Sequence, residues 1–273
     1  MLMPILQEKA REQGLPLATV VAEVLHLIAL DVLFSRPESH KVGLQGGTSI
    51  HLLYGGYRYS EDLDFAGEGL DYDLACKLVS RSRSEVEKLT VQMLGVGEAS
   101  WRFPPPAAGR RVHSFWFYFR PQGGRRKFRL KMEFAGYPVY EPQVLVVRSE
   151  FDLLGRLPLV QGLSARELLA EKVSAVAGRP YVKGRDLFDI WYLSEVLGTH
   201  LEPRLFERKL RDYGIEISAS ELKDKLSAYG TEALIREMER FLPLRYRERL
   251  GGGGYRTVRR VALGVLEQAS ELL

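Results

Sequence analysis

Two carboxylates and a glycine pair are the residues whose types and spacing bear on chemistry. Asp62 and Asp64 alternate with Leu63 and Phe65, so a strand over 62–65 sends both acids to one face and both apolar chains to the other. Neighbouring carboxylates force one of the two to protonate unless a cation compensates them. A divalent metal removes that conflict, and Mg2+ takes a few carboxylate oxygens together with water and substrate phosphates. Upstream, Gly46-Gly47 precedes a helix expected from Thr48, beside Ser49. At such a helix start backbone N–H groups and the helix dipole favour an anion, and Thr48 adds a hydroxyl donor. Fourteen residues lie between Gly47 and Asp62, room for a helix of about three turns and a return into an adjacent strand. A third acid would allow a second ion, and Glu133 is the candidate; a metal pair would activate an attacking hydroxyl and hold a departing pyrophosphate. Each feature also has a plainer reading. The glycines can be a turn, the aspartates a solvated strand face, and Glu133 a salt-bridge partner of Lys131 or Arg129.

The surrounding elements follow from periodicity. Leu17, Val21, Val24, Leu25, Ile28 and Val32 recur at helical spacing, which predicts a core helix over 16–34. Residues 41–45 read as a short strand running into the glycine pair. Arg111 to Arg120 and Arg125 to Phe134 are aromatic-rich runs separated by Pro121-Gln-Gly-Gly124, the pattern of a β-hairpin. In its second arm Phe128, Leu130, Met132 and Phe134 share one face and Lys127, Arg129, Lys131 and Glu133 the other. Another strand is expected over 144–147. Beyond it the pattern turns helical, which predicts a boundary near residue 158, with a core domain over 1–158 and a mainly helical domain over 159–273. Ser164-Ala-Arg-Glu167 has capping-box spacing for a helix to about 177. Further helices are expected over 186–196, 203–212, 219–227, 231–241 and 256–271, with Gly251-Gly-Gly-Gly254 as a break.

Composition narrows the class. The 273 residues are 45% hydrophobic and 27% charged, with a net charge of +4, those of an ordinary globular chain with too little net charge to establish a nucleic-acid partner. Distribution says more. From Lys77 to Lys131 there are 13 Lys/Arg against 3 Asp/Glu. Arg110, Arg111, Arg120, Arg125, Arg126, Lys127, Arg129 and Lys131 are interleaved with Phe115, Trp116, Phe117 and Tyr118, a pattern suited to following phosphates and stacking bases, with most of the aromatics assigned to packing. Cys76 is the single cysteine, which excludes an intrachain disulfide and a cysteine metal cage and fits a cytoplasmic protein. No secretory leader is read at the start, and Glu23, His26 and Asp31 argue against a membrane span at 15–34. His51 and His113 lack metal-ligand spacing and are read as bystanders.

The segment Leu44-Gln-Gly-Gly-Thr-Ser-Ile-His-Leu-Leu-Tyr-Gly-Gly-Tyr-Arg-Tyr-Ser-Glu-Asp-Leu-Asp-Phe65 resembles the signature of the AbiEii/AbiGii-type nucleotidyltransferase toxins of type IV toxin–antitoxin systems. In that family a Gly-Gly-Thr segment leads to Arg-x-Ser-x-Asp-Leu-Asp-Phe. Glu171-Lys172 and Lys183-Gly-Arg-Asp-Leu-Phe-Asp-Ile-Trp-Tyr-Leu193 are similar to its later lysine and Arg-Asp-x-x-Asp motifs. The resemblance implies an α+β fold: a polymerase-β-like nucleotidyltransferase core followed by a C-terminal helical domain. It places Gly46, Gly47 and Thr48 or Ser49 against an NTP triphosphate, Asp62 and Asp64 on Mg2+, and Lys172 at the nucleotide phosphates. Asp186 would orient Lys172 or act as a base, while Asp189 would cap or pair with Arg185. Arg58 and Ser60 either brace the loop or touch a phosphate.

The expected activity is therefore Mg2+-dependent transfer of a nucleoside monophosphate from an NTP to an acceptor hydroxyl, with RNA, and in particular the 3′ end of tRNA, as acceptor. A separate antitoxin protein is the expected partner. Transfer to a small molecule or a protein, and a non-catalytic RNA-binding module on the same fold, are the competing readings.

Overall fold

A computed structural model of the chain describes residues 2–149, 151, 155, 158–227 and 229–273. It divides into two compact units: Met1–Gly55 with Tyr59–Leu163, and Gly56–Arg58 with Ser164–Leu273. The boundary expected near 158 thus falls after residue 163, because the segment in between is a strand of the first unit's sheet.

The first unit opens with helices α1 (Met3–Glu12) and α2 (Leu17–Phe34). Strand β1 (Gly43–Gln45), helix α3 (Gly46–Tyr54) and strand β2 (Asp62–Ala66) follow, then α4 (Tyr72–Leu94), β3 (Gly97–Arg102), β4 (Val112–Pro121), β5 (Phe128–Ala135), β6 (Pro142–Val146) and β7 (Leu159–Leu163). The strands form one sheet in the order β3-β4-β5-β2-β1-β7-β6. β2 runs antiparallel to β1 and parallel to β5, and β4–β5 is the expected antiparallel hairpin. One sheet face carries the fully buried Leu63, Phe65, Phe115, Phe117, Phe119, Leu130 and Phe134, and α2 packs against β5, β7 and α4. Among the described residues α2 is the one helix long and apolar enough to cross a membrane, and most of it is buried inside the protein.

The sequence does not announce α1, α4, β3 and β7, the 3-10 turn over Pro37–Lys41, or the helical turns over 244–250. The period of α4 was present in its buried Ala75, Leu78, Val79, Ser82 and Val86, but charged residues on its other face masked it. β7 contains Gly162, a poor strand former. There the absent side chain matters, because a Cβ would lie 2.3 Å from Leu53 Cδ1 on α3.

The second unit is helical: α5 (Ala165–Gly178), α6 (Gly184–Trp191) with a π-turn over Tyr192–Val196, α7 (Pro203–Tyr213), α8 (Ala219–Ser227), α9 (Thr231–Met238) and α10 (Leu244–Ser270). Ser164 Oγ caps α5 by accepting from the Glu167 N–H at 3.1 Å. α10 breaks at Gly251 (φ 49°, ψ −167°), where the glycine run announced an interruption. Lys209 is fully buried between Glu167 (2.6 Å) and Glu171 (3.4 Å). Burial opposes the Lys209 charge, but Glu171 and Glu167 prevail and raise its pKa.

A polar cluster also crosses the first unit's core. Glu23 of α2 accepts from His51 Nε2 at 2.9 Å and from Ser149 Oγ at 2.7 Å, so His51 ties α3 to α2. His26 Nε2 lies 3.2 Å from the Glu61 carbonyl, next to the Asp62 strand. Burial pushes the His26 imidazole down to about 4, against the pull of the Glu61 carbonyl and Glu23. The folded chain therefore keeps His26 neutral at pH values where an unfolded chain, titrating at about 6.5, takes up a proton. That contribution is complete above about pH 6.5 and is lost as pH falls toward about 4. Urea midpoints should decline across that interval, and His26→Gln should flatten the decline; parallel pH profiles for the two proteins would refute the assignment.

Candidate active site

The site begins where β1 turns into α3. Gly46 has φ +73°, and a Cβ built on it would lie 2.5 Å from Asp64 Oδ2. Glycine is needed twice there, for the left-handed backbone and for the approach of the carboxylate. Gln45 and Asp64 are register partners across β1 and β2, so pairing brings the acid beside the first turn of α3. Gly47, Thr48 and Ser49 are buried. Thr48 Oγ1 donates to the Asp62 carbonyl at 2.6 Å, tying the helix start to the acidic strand. Ser49 Oγ is buried without a hydrogen-bond partner among the described residues. Both hydroxyls point into the fold, which leaves the backbone N–H groups of the first turn as its donors toward an anion.

β2 presents Asp62 and Asp64, each partly exposed, on the face opposite the buried Leu63 and Phe65. Parallel pairing sets Asp62 beside Lys131 and Asp64 beside Glu133. The salt bridge left open for Glu133 is present: its Oε2 accepts from Lys131 Nζ at 2.7 Å and its Oε1 from Ser114 Oγ at 2.9 Å. Lys131 Nζ is also 3.9 Å from Asp62 Oδ2, and Arg129 Nη2 is 3.8 Å from Asp62 Oδ1. Burial lifts the Asp62 carboxyl above the usual range against the opposing charges of Lys131 and Arg129, and Glu133 adds to the lift. Asp62 Oδ1 accepts no hydrogen bond among the described residues.

Among the described residues no three His, Cys, Asp or Glu side chains come together as a metal cluster. A Mg2+ ion needs only one or two carboxylates when phosphates and water complete its shell. Asp62, with an unsatisfied oxygen, and Asp64 meet that requirement. Glu133 has both oxygens engaged by Ser114 and Lys131.

The later motifs lie in the second unit. Lys172 Nζ is 2.8 Å from Asp189 Oδ2 and 3.3 Å from Asp186 Oδ1. Asp186 also pairs with Arg179. Arg58 grips Asp189 with two charge-assisted hydrogen bonds, Nε to Oδ1 at 2.6 Å and Nη2 to Oδ2 at 2.5 Å. Asp189 therefore pairs with Arg58 and Lys172, while Arg185 lies over the Phe241 ring. Burial works against the Asp189 charge, but Arg58 and Lys172 hold its carboxyl below the usual range. Burial also draws the Lys172 ammonium below the ordinary lysine range, against the attraction of Asp189. Arg58 stands fourteen positions before Tyr72 in the chain yet belongs to the second unit, a placement that no local pattern announces. Sequence reasoning likewise missed Ser114, which strand pairing brings to Glu133, and Arg179, which meets Asp186 across the turn between two helices.

A glycine-opened helix start beside an Asp-x-Asp strand, in a mixed sheet with a helical second unit, is the arrangement of a polymerase-β-like nucleotidyltransferase core. Residues 29–255 match the family described as nucleotidyl transferase AbiEii toxin, type IV TA system, and the chain belongs to that family. It is thus a nucleotidyltransferase of the type IV toxin–antitoxin class. Its fold is similar to that of MenT4, a nucleotidyltransferase toxin from Mycobacterium tuberculosis H37Rv, with a TM-score of 0.67 at 17% identity over 99% of this chain and 93% of that one. JHP933 from Helicobacter pylori (TM-score 0.52, 17% identity, 94% and 95% covered) and a putative nucleotidyltransferase from H. pylori (0.51, 17%, 93% and 96%) share the fold. A search of curated proteins gave no match.

Gly46→Ala tests the geometry. An alanine forced to φ +73° costs roughly 1–2 kcal/mol, and displacing a reacting group by about 1 Å costs on the order of 100-fold in rate. Label transfer from NTP should fall by about two orders of magnitude while the melting temperature drops only a few degrees. Wild-type transfer by the alanine protein would remove Gly46 from the site.

Proposed function

We propose that Asp62 and Asp64 together hold Mg2+ beside an NTP whose triphosphate lies on the first turn of α3, at the backbone of Gly46, Gly47, Thr48 and Ser49. The observation that carries this reading is that Asp64 Oδ2 occupies the space a Cβ on Gly46 would fill, which joins carboxylate and helix start in one place. When bound, the ion balances the two carboxylates and draws charge from the phosphates. The chain's own contribution is positioning: Thr48 fixes the helix to the strand, and Lys131 adds positive charge next to Asp62. The acceptor oxygen bonds to the α-phosphorus, the α–β phosphoanhydride bond breaks, pyrophosphate leaves and the hydroxyl proton is released. Following the family motifs, we assign Lys172 to the nucleotide phosphates and Asp186 to orienting it, which their 3.3 Å separation supports. We keep Glu133 as the candidate third metal ligand, one that must give up Lys131 to serve.

We assign the acceptor to RNA, with the 3′ hydroxyl of tRNA as the attacking group. The support is the exposed cation cluster Arg125, Arg126 and Lys127 between β4 and β5. A reaction that consumes NTP belongs in the cytoplasm, and a cognate antitoxin protein is the partner of a toxin of this class.

Incubation with each labelled NTP and purified tRNA should give a labelled, mobility-shifted RNA. Asp64→Ala should abolish it, with a loss above roughly 100-fold and an unchanged fold by circular dichroism; full activity in that variant would refute the metal assignment. Label on protein or small molecules alone would redirect the acceptor. Converting Arg125, Arg126 and Lys127 to Ala should weaken RNA binding uniformly across sequences and reduce the salt slope by up to about three units. An unchanged slope would mean that these cations serve something else.

A further inference from the structure

The aromatic residues of the hairpin divide between the two sheet faces. Phe115, Phe117 and Phe119 are fully buried on the core side, where Phe117 packs on Trp101 and Phe115 on Phe103. Trp116 and Tyr118 occupy the opposite face and are each partly exposed. Among the described residues neither ring stacks on another aromatic. Each instead carries a cation: the Arg102 guanidinium lies 5.1 Å from the Trp116 ring, and Lys127 Nζ lies 4.3 Å from the Tyr118 ring.

Register continues this face to the acids. Trp116 pairs with Lys131, which pairs with Asp62; Tyr118 pairs with Arg129; Ser114 pairs with Glu133, which pairs with Asp64. Trp116 is therefore two strands from Asp62, about 10 Å at the usual strand spacing. Along β4 the face runs from the Asp64–Glu133 row through Trp116 and Tyr118 to Arg120 and then to the cations at the hairpin tip. Its charge changes from acidic at the reacting end to basic at the far end.

We propose that this open face is the track for a single-stranded RNA 3′ segment, with successive bases stacked on Trp116 and Tyr118 and the terminal hydroxyl directed to Asp62 and Asp64. This rests on the nucleotidyl-transfer reading and adds the form of the acceptor. Side chains two apart on a strand are separated by about 6.7 Å, twice the ~3.4 Å rise between stacked bases. The two rings therefore take bases unstacked from each other, which a flexible single strand supplies and a duplex does not. Arg102, Arg129 and Lys127 follow the backbone phosphates; a base takes the ring face that Arg102 or Lys127 covers in the free protein, and the displaced cation turns to a phosphate.

The test is binding without NTP. A fluorescein-labelled single-stranded RNA dodecamer and the same sequence annealed to its complement are titrated in anisotropy against wild type, Trp116→Ala, Tyr118→Ala and Trp116→Phe. Single-stranded binding should weaken about tenfold for each alanine, a typical loss for one stacked base, with the salt slope unchanged. The phenylalanine variant, which keeps a stacking plane and guards against misfolding, should stay near wild type. The duplex should bind more weakly than the single strand and be indifferent to all three changes. Equal affinity for both RNA forms, or alanine variants that bind the single strand as wild type does, would overturn the proposal. Either result leaves the nucleotidyl-transfer reading to be judged separately, by label transfer in Asp64→Ala.

Discussion

Two negative charges on alternate residues of one strand repel each other, and burial sharpens the conflict because it removes the water that screens them. Around β2 the like charges that act on Asp62 are Glu133 and Glu61, and opposite charges are packed against them. Lys131 and Arg129 on the adjacent parallel strand lie within 4 Å of Asp62. The start of α3, with its partial positive charge, lies against Asp64 because Gly46 has no side chain. Even so, one Asp62 oxygen accepts no hydrogen bond among the described residues, and its carboxyl stays raised by burial. An opposite charge beside Asp62 offsets that burial, and Lys131 and Arg129 supply it only from 3.8–3.9 Å.

The same sheet serves two solvents. Alternation along β4 and β5 places a packed row of phenylalanines on one side, and charges with two partly exposed rings on the other. Neither row is optional for the other: the buried row fixes strand register, and register decides which cation meets which acid. A one-residue slip would bury Lys131 and Arg129 and expose Leu130 and Met132. Stability of the core and charge arrangement at the site therefore depend on one alignment.

The second unit uses charge differently. Arg58, Lys172, Asp186, Asp189 and Arg179 form one linked set, and Lys209 with Glu167 and Glu171 forms another nearly free of solvent. Buried ion pairs add little net stability against the desolvation they incur, but losing one partner strands the other. Such sets fix side-chain positions strongly. That suits Lys172 and Asp186, whose motif lies where α5 and α6 pack together.

The sequence by itself determined the local grammar: the core helix α2, the strand, glycine pair and helix around Gly46, the Asp-x-Asp strand, the hairpin and its two faces, the Ser164 cap and the break at Gly251. These were legible because periodicity, capping and glycine chemistry act over a few residues. What only the tertiary structure decided depends on groups far apart in the chain. β7 was hidden because its glycine makes sense only against Leu53, and α4 because its charges obscured its buried stripe. The sequence named Glu133 but left its partner open, and strand pairing supplied Ser114 and Lys131. It named Thr48 as a hydroxyl donor, and the fold turned that hydroxyl to the Asp62 carbonyl. The division of Phe115 and Phe117 from Trp116 and Tyr118 follows from alternation, yet which face meets the acids is fixed by the pairing of β5 with β2. Short-range preference specifies which elements form; long-range pairing, driven by burial, specifies which side chains meet.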